Sequence, residues 1–260
     1  MKDMMTLAYL NMFGILGALE DLCALVPQAK ALADNDALPG KKPLVVGFSV
    51  AGASAPAMRL RFADGTCAMS EGSGPCDIRL PFSSAKKFNG MIDGTVTPFP
   101  SKGFFKLKFL TKNFVALTKI LETYLRASPE SLEDKDFFTA STTVMFYLIS
   151  RAIVQIGNHD KIGRFTASNI PDGTVVLSVA SSPLQAAVTI KDHVFSSSKT
   201  VPEFPHAVME FSGMELARKL FDGKVSALAC VGEGLISMRG NLGILDNVNR
   251  LLDRVAAYLG

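Results

Sequence analysis

The sequence predicts an α+β protein of two similar domains, each with a run of antiparallel strands between an opening and a closing helix. Three observations support this. The chain has 260 residues, enough for two domains of ordinary size. Two stretches about 131 residues apart share their apolar positions, and self-similarity at so long an interval indicates two copies of one domain. Strand-like segments are grouped and do not alternate with helices, which favours α+β.

The self-similarity is clearest near the end of each half. The segment from Gly103 to Phe109 aligns without a gap with the segment from Gly234 to Gly240. Near the start, Phe13 falls on Phe146 at an offset of 133. These offsets predict a first domain over residues 1–127, a linker over 128–135 and a second domain over 136–260.

In the first half, apolar residues at helical spacing predict an opening helix from Leu7 to Val26. Asp36 with Pro39-Gly40 predicts the loop that follows. The strands expected next are Pro43 to Val50, Ala57 to Phe62, Thr66 to Ser70 and Asp77 to Phe82. Asp64-Gly65 is a typical hairpin turn between the second and third of them.

The first half closes with three further elements. Ser83 or Ser84 is expected to cap a short helix that ends at Asn89-Gly90. The alternation of apolar residues with lysine predicts a strand from Phe105 to Phe109. A last helix is predicted from Lys112 to Arg126.

The second half is expected to repeat this order. Its predicted elements are a helix over 137–156, strands near 174–180, 185–191 and 206–212, a helix from Met214 to Phe221 ended by Asp222-Gly223, a strand from Leu235 to Arg239, and a helix from Leu242 to Leu259.

Composition excludes several classes of function. The net charge of +3 is too small to indicate nucleic-acid binding. Four cysteines lack metal-site or disulfide spacing, although Cys67 and Cys76 are candidate neighbours in reduced form, and three scattered histidines predict no metal site. The apolar segment from Met4 to Leu19 resembles a signal peptide, but its repeat lies in mid-chain, so we expect a cytoplasmic protein.

No catalytic motif stands out. The chain has no P-loop, GxSxG or HExxH sequence, and it predicts neither an enzyme nor a bound cofactor. An enzyme acting on an acyl thioester would need a base and a nucleophile in one pocket. The nearest candidates, Cys230, His206 and Glu233, form no recognisable set.

Apolar residues converge instead on two segments, 88–109 and 221–245, with the helix after each. Two readings stay open: these residues fill two cores, or they line an adaptable apolar cavity. The candidate ligand-binding residues are Phe88, Met91, Phe99, Phe104, Phe109, Phe114, Leu117, Phe221, Val225, Leu228, Leu235, Met238, Leu242 and Leu245. Lys106 and Lys108 are either a solvated face or an edge that meets anionic membranes transiently.

The carboxy-terminal segments resemble the sterol carrier protein-2 (SCP-2) family. A short helix ends in Gly223-Lys224, and a strand ends in Gly240-Asn241 before the last helix. The segment Ala207 to Ser212 resembles the family's fourth strand. In the first half, Phe109-Leu110 stands in the aligned place of Gly240-Asn241, so that half is expected to have diverged.

The resemblance implies that each domain is an antiparallel sheet of about five strands covered by helices. It also implies an apolar tunnel for lipids, fatty acyl chains or sterol-like molecules, and no catalytic residue. The first hypothesis is therefore a non-catalytic lipid-binding or transfer protein with two such domains in tandem. The alternative is a structural or interaction module whose cavities are filled by its own side chains. The ligand's identity and the oligomeric state are not predicted.

Overall fold

The computed structural model describes residues 2–34 and 42–259, apart from the side chain of Leu228. The chain divides into two compact units. The amino-terminal unit is Leu7–Val144, and the carboxy-terminal unit is Met145–Gly260 together with Met1–Thr6. The division falls within a long helix, so the boundaries at 127 and 136 stay a prediction.

The sheet of the amino-terminal unit has four strands: β1 (Leu44–Val50), β2 (Ala57–Ala63), β3 (Thr66–Glu71) and β4 (Ile78–Phe82). Their order across the sheet is β3-β2-β1-β4. The predicted hairpin turn is present between β2 and β3, where Asp64 and Gly65 both have positive φ, at 52° and 73°. All four strands lie where the apolar patterning places them.

The helices of this unit are α1 (Met4–Leu25), α2 (Pro27–Ala33), α3 (Ala85–Ile92) and α4 (Val115–Leu125). The first three residues of α1 belong to the carboxy-terminal unit. Within α1, Leu10–Ile15 forms a π-helical turn and Leu16–Ala18 a 3₁₀ turn. The loop predicted at Asp36, Pro39 and Gly40 lies outside the described residues.

The carboxy-terminal unit has five strands: β5 (Gly173–Val179), β6 (Gln185–Lys191), β7 (Val194–Ser198), β8 (Ala207–Phe211) and β9 (Ile236–Gly240). Their order is β7-β6-β5-β8-β9. The sequence did not predict β7. Three of its five residues are consecutive serines, so it lacks the alternation of apolar and polar residues that indicates a strand, and Phe195 is its deeply buried residue.

The helices of the second half are α5 (Lys135–His159), α6 (Lys161–Ala167), α7 (Met214–Phe221), α8 (Ala227–Gly232) and α9 (Leu242–Leu259). α5 starts in the amino-terminal unit and ends in the carboxy-terminal one. Asp134 opens it by accepting a hydrogen bond from the Phe137 amide at 2.8 Å, as expected of a cap within the predicted linker.

The prediction of purely antiparallel sheets is wrong for one strand pair in each sheet. β1 pairs parallel with β4, and β5 pairs parallel with β8. The other pairs are antiparallel. Two antiparallel pairings make β3 run in the direction of β1. The connection after β3 crosses to the far side of β1, where β4 runs in the same direction as β3. β4 is therefore parallel to β1. Both sheets are therefore mixed.

The strand predicted from Phe105 to Phe109 is also wrong, because this segment is helical. A 3₁₀ turn at Phe104–Lys106 leads into a π-helical turn at Phe109–Phe114 and then into α4. What remains of a fifth strand is the single bridge between Lys102 and Arg79.

Gly103 explains this difference. It has a φ of 91°, and a Cβ there would collide with the backbone oxygen of Asp77 just before β4. Gly240 has a φ of 97°, and a Cβ there would collide with the backbone oxygen of His206 just before β8. Gly103 therefore occupies the place of Gly240 and not that of Gly234. The ungapped alignment is shifted here, and the Phe-Lys segment opens the last helix.

α3 ends later than the sequence predicts. Asn89-Gly90 lies inside α3, and the turn with positive φ comes at Gly94, where φ is 70°. Asp222-Gly223 ends α7 as predicted. Gly223 has a φ of 68°, and the amide of Lys224 reaches back to the carbonyl of Lys219 at 2.9 Å. This is the Schellman arrangement, which favours glycine because a Cβ is strained at that φ.

Two helices are long and apolar enough to cross a membrane by length and composition, Met4–Leu25 and Lys135–His159. Both are mostly buried within the protein, at 72% and 67% of their most apolar windows. A core helix passes the same length and hydropathy test, so the two helices are weak evidence for a membrane span.

Candidate functional site

The predicted lining residues of the amino-terminal unit divide between its core and its surface. Four of them are buried: Phe88, Phe109, Phe114 and Leu117. The ring of Phe109 lies 5.1 Å from that of Phe62, and the ring of Phe114 lies 5.8 Å from that of Phe48. Met91 is half-buried, whereas Phe99 and Phe104 are exposed.

The predicted lining residues of the carboxy-terminal unit are mostly accessible. Leu245 is buried, but Phe221, Val225 and Met238 are half-buried. Leu235 is 38% exposed and Leu242 74%. Leu228 has a side chain outside the described part of the structure. We call Phe221, Val225, Leu235, Met238 and Leu242 the accessible apolar residues.

The accessible apolar residues lie at the end of α7, in the turn after it, on or beside β9, and at the start of α9. α7 packs on β8, and Phe221 at its end lies with its ring 6.1 Å from that of Phe211. α8 packs on β9, which carries Met238 opposite the buried Met209 of β8. Gly240 and Asn241 then turn the chain into α9, where the Asn241 side chain accepts a hydrogen bond from the Ile244 amide at 3.2 Å.

The two predicted membrane-facing lysines have different surroundings. Lys106 forms an ion pair with Asp77. Burial alone would raise the pKa of Asp77, but its hydrogen bonds with Lys106 and the Val45 amide lower it. Lys108 is exposed.

The structure assembles no catalytic set from the predicted candidates. Cys230 is buried, Glu233 is exposed, and His206 accepts a hydrogen bond from the Thr174 amide at 3.1 Å. No hydrogen bond or ion pair joins these three side chains. Across residues 2–34 and 42–259, no cluster of His, Cys, Asp and Glu has the arrangement of a metal site.

Cys67 has a different neighbour from the one expected. β3, which carries Cys67, and β4, which follows Cys76, lie at opposite edges of the sheet, and Cys76 packs over Gly47. The neighbour of Cys67 is Cys23 of α1: a hydrogen bond with Cys23, together with burial, raises the pKa of Cys67. All four cysteines are free thiols and buried, which makes them poor nucleophiles.

A buried carboxylate joins four parts of the carboxy-terminal unit. Asp160 separates α5 from α6 and caps α6 by accepting hydrogen bonds from the amides of Ile162 and Gly163 at 3.0 and 2.9 Å. Arg254 of α9 donates to it from Nε at 3.0 Å and from Nη2 at 2.9 Å. The hydroxyl of Tyr258 donates at 2.8 Å and accepts from the Asp3 amide at 3.0 Å.

Residues around Asp160 line a cavity of about 630 Å³. Its lining comprises Asp3, His159, Asp160, Lys161, Ile162, Arg164, Phe165 and Arg254. The volume is within the range of small-molecule sites, about 300–1,000 Å³. Charged groups of both signs line it, and Ile162 and Phe165 add exposed apolar surface.

The electrostatics of this cluster indicate a structural role for Asp160. Burial alone would raise its pKa, but the hydrogen bonds from Arg254, the Gly163 amide and Tyr258 lower it to about 2. Such a carboxylate is a weak base at neutral pH, and its oxygens already accept five hydrogen bonds. Asp160 therefore ties the junction of α5 and α6 to α9.

His159 in the same cavity is expected to make stability depend on pH. Burial, and secondarily the charge of Arg164, lowers its pKa from 6.5 to about 4. Between these values the unfolded chain binds more protons than the folded one, so the free energy of unfolding falls as the pH is lowered from 6.5 towards 4. In His159→Gln, the melting temperature should depend much less on pH between 6.5 and 4. The same change at the exposed His193 should leave this dependence intact; an unchanged dependence in His159→Gln would refute the assignment.

Sequence reasoning missed the Asp160 cluster. The local signal was present, since an aspartate between two helical segments is a common helix cap. No sequence signal indicated the long-range partners of Asp160, because Arg254 and Tyr258 lie 94 and 98 residues away along the chain.

No protein-family model matches the chain, and no curated protein matches it. The solved structures similar to it include a ubiquinone synthesis protein, UbiJ-SCP2, at 11% identity over 43% of this chain and 96% of that one, with a TM-score of 0.35. A second is the sterol carrier protein domain 2 of Helicoverpa armigera, at 15% identity over 44% and 89%, with a TM-score of 0.36.

A third similar structure is a conserved hypothetical protein of Thermus thermophilus described as possibly a sterol carrier protein. It shares 20% identity over 42% of this chain and 83% of that one, with a TM-score of 0.32. These values describe a likeness over less than half of the chain, and no function follows from them.

Proposed function

We propose that the carboxy-terminal unit binds a lipid or another elongated apolar molecule without catalysis, and that the accessible apolar residues contact it. The observation that carries this proposal is their incomplete burial. Phe221, Val225 and Met238 are half-buried, Leu235 and Leu242 are exposed, and all five lie in the segment that runs from the end of α7 to the start of α9. A surface of this kind is typical of ligand or partner sites.

The chemistry of these residues suits an acyl chain. Burial of each methylene contributes about 0.8 kcal/mol, so ten methylenes supply roughly 8 kcal/mol before the cost of ordering the ligand. Methionine adapts to ligands of different shape because its side chain is unbranched, has three rotatable bonds and carries a polarizable thioether. The resemblance of Gly223-Lys224 and Gly240-Asn241 to the SCP-2 pattern supports the same class of ligand.

The amino-terminal unit favours the second candidate function, a structural or interaction module. Phe109 and Phe114 occupy its core, and both rings lie within 6.4 Å of Phe62. This ring packing supports a unit whose interior is filled by its own side chains. We propose that ligand binding belongs to the carboxy-terminal unit alone.

A fluorescent fatty acid tests this assignment. Met238→Lys places a charge among the accessible apolar residues, and its affinity for the probe should fall by about tenfold or more, because burying an ammonium group in apolar surroundings is costly. The matched control is Val194→Lys, at an exposed position of β7. Equal affinities in the two variants, or no binding by the unmodified chain, would overturn the proposal.

A further inference from the structure

Three phenylalanines lie on the surface of the amino-terminal unit within seven positions. Phe99 is 77% exposed, Phe104 is half exposed, and Phe105 is fully exposed. The rings of Phe99 and Phe104 lie 6.0 Å apart. We call these three residues the Phe patch. Exposure of grouped aromatic side chains to water is unfavourable. Such a group typically marks a surface that contacts another protein or a membrane.

The backbone holds the Phe patch in place. Ser101 donates from its amide to the Arg79 carbonyl at 2.8 Å, and the Arg79 amide donates to the Lys102 carbonyl at 3.2 Å. The ammonium group of Lys102 donates to the Cys76 carbonyl at 2.7 Å. The segment is thus fastened to the edge of β4, and Gly103 turns it sharply into the last helix. A fixed display of this kind reduces the ordering cost of binding.

The chain segment that carries the Phe patch is basic. Five lysines and no acidic residue lie between Asp93 and Glu122. Lys106 pairs with Asp77, whereas Lys108 and Lys112 are exposed. Lys108 follows Phe104 by four helical positions, which places the two side chains on one face.

We propose that the Phe patch inserts into the interfacial layer of an anionic lipid membrane, with Lys108 and Lys112 at the headgroups. Aromatic rings beside lysines are the composition of surfaces that rest on anionic bilayers. A second copy of the chain fits less well, because a symmetric contact would bring the same lysines together. Lys106, which the sequence analysis placed with Lys108 at a membrane-facing edge, is left out of this proposal because it forms an ion pair with Asp77.

Sedimentation with phospholipid vesicles tests the proposal. The full chain should bind vesicles of phosphatidylcholine mixed with phosphatidylserine more strongly than vesicles of phosphatidylcholine alone. Phe105→Ser should weaken binding to the mixed vesicles about tenfold, as expected for one aromatic side chain removed from the interface. Lys108→Gln should weaken it about fivefold, and only on the anionic vesicles.

The control is Phe204→Ser, which removes another strongly exposed phenylalanine, at 81%, from the other unit. Failure of the full chain to bind anionic vesicles, or an equal loss in Phe204→Ser and Phe105→Ser, would overturn the proposal. So would a concentration-dependent dimer, seen by analytical ultracentrifugation, that Phe105→Ser abolishes. The proposed ligand site is tested separately, because Phe105→Ser should keep full affinity for the fluorescent fatty acid.

Discussion

Replacing Asp160 by alanine is expected to lower the free energy of unfolding of the carboxy-terminal unit by about 3–5 kcal/mol, the usual cost of removing one partner from a buried ion pair. The carboxylate is 1% exposed, and its loss leaves Arg254 and Tyr258 without their acceptor. The lost cap of α6 adds about 1 kcal/mol. A fall in melting temperature of roughly 10 °C or more should follow.

Two comparisons make this prediction specific. Asp253→Ala, at an exposed position beside Arg254, should change stability by less than about 0.5 kcal/mol. Adding Arg254→Met to Asp160→Ala should recover part of the loss, because the uncompensated charge is then removed. A shift in Asp160→Ala no larger than that in Asp253→Ala would contradict the structural role.

The pH dependence of the same interaction has a definite sign. The pKa of Asp160 is lowered from 3.8 to about 2, so its contribution is complete above pH 3.8 and is lost as the pH falls towards 2. This window lies below that of His159, which spans 6.5 to about 4. Acid unfolding of Asp160→Ala should therefore lack the lower phase.

Replacing Phe109 by alanine is expected to lower the free energy of unfolding by about 3–5 kcal/mol, as for other buried phenylalanines. Its ring is 3% exposed and packs on Phe62 of β2. Urea unfolding should show the loss, and hydrogen exchange should locate it in the amino-terminal unit.

The matched control for this prediction is Phe105→Ala, at a fully exposed position one helical turn earlier, with an expected change below about 0.5 kcal/mol. If Phe109→Ala unfolded at the same urea concentration as Phe105→Ala, the core of this unit would not be filled by these rings, and ligand binding there would need to be reconsidered.

Local signals predicted most of the strands and helices. The Asp64-Gly65 turn and the alternation around it gave β2 and β3, and Asp222-Gly223 gave the end of α7. These features depend on residues close together in sequence, where turn geometry and side-chain periodicity act directly.

Long-range contacts account for what was not predicted. Apolar and lysine residues alternate from Phe105 to Phe109 as in a strand, yet the segment is helical because Gly103 ends the sheet against Asp77. The parallel pairing of β1 with β4 depends on how the chain crosses the sheet, which no local pattern records. Composition also could not separate buried from accessible apolar residues, since Phe109 and Phe221 are the same residue type with different burial.

Native mass spectrometry of the purified chain tests whether the carboxy-terminal unit binds a lipid. We expect a species whose mass exceeds that of the polypeptide by the mass of one lipid or fatty acid. Phe105→Ser should retain this species, and Met238→Lys should lose it. A bare polypeptide mass for the unmodified chain, unchanged after incubation with fatty acid, would contradict this proposal.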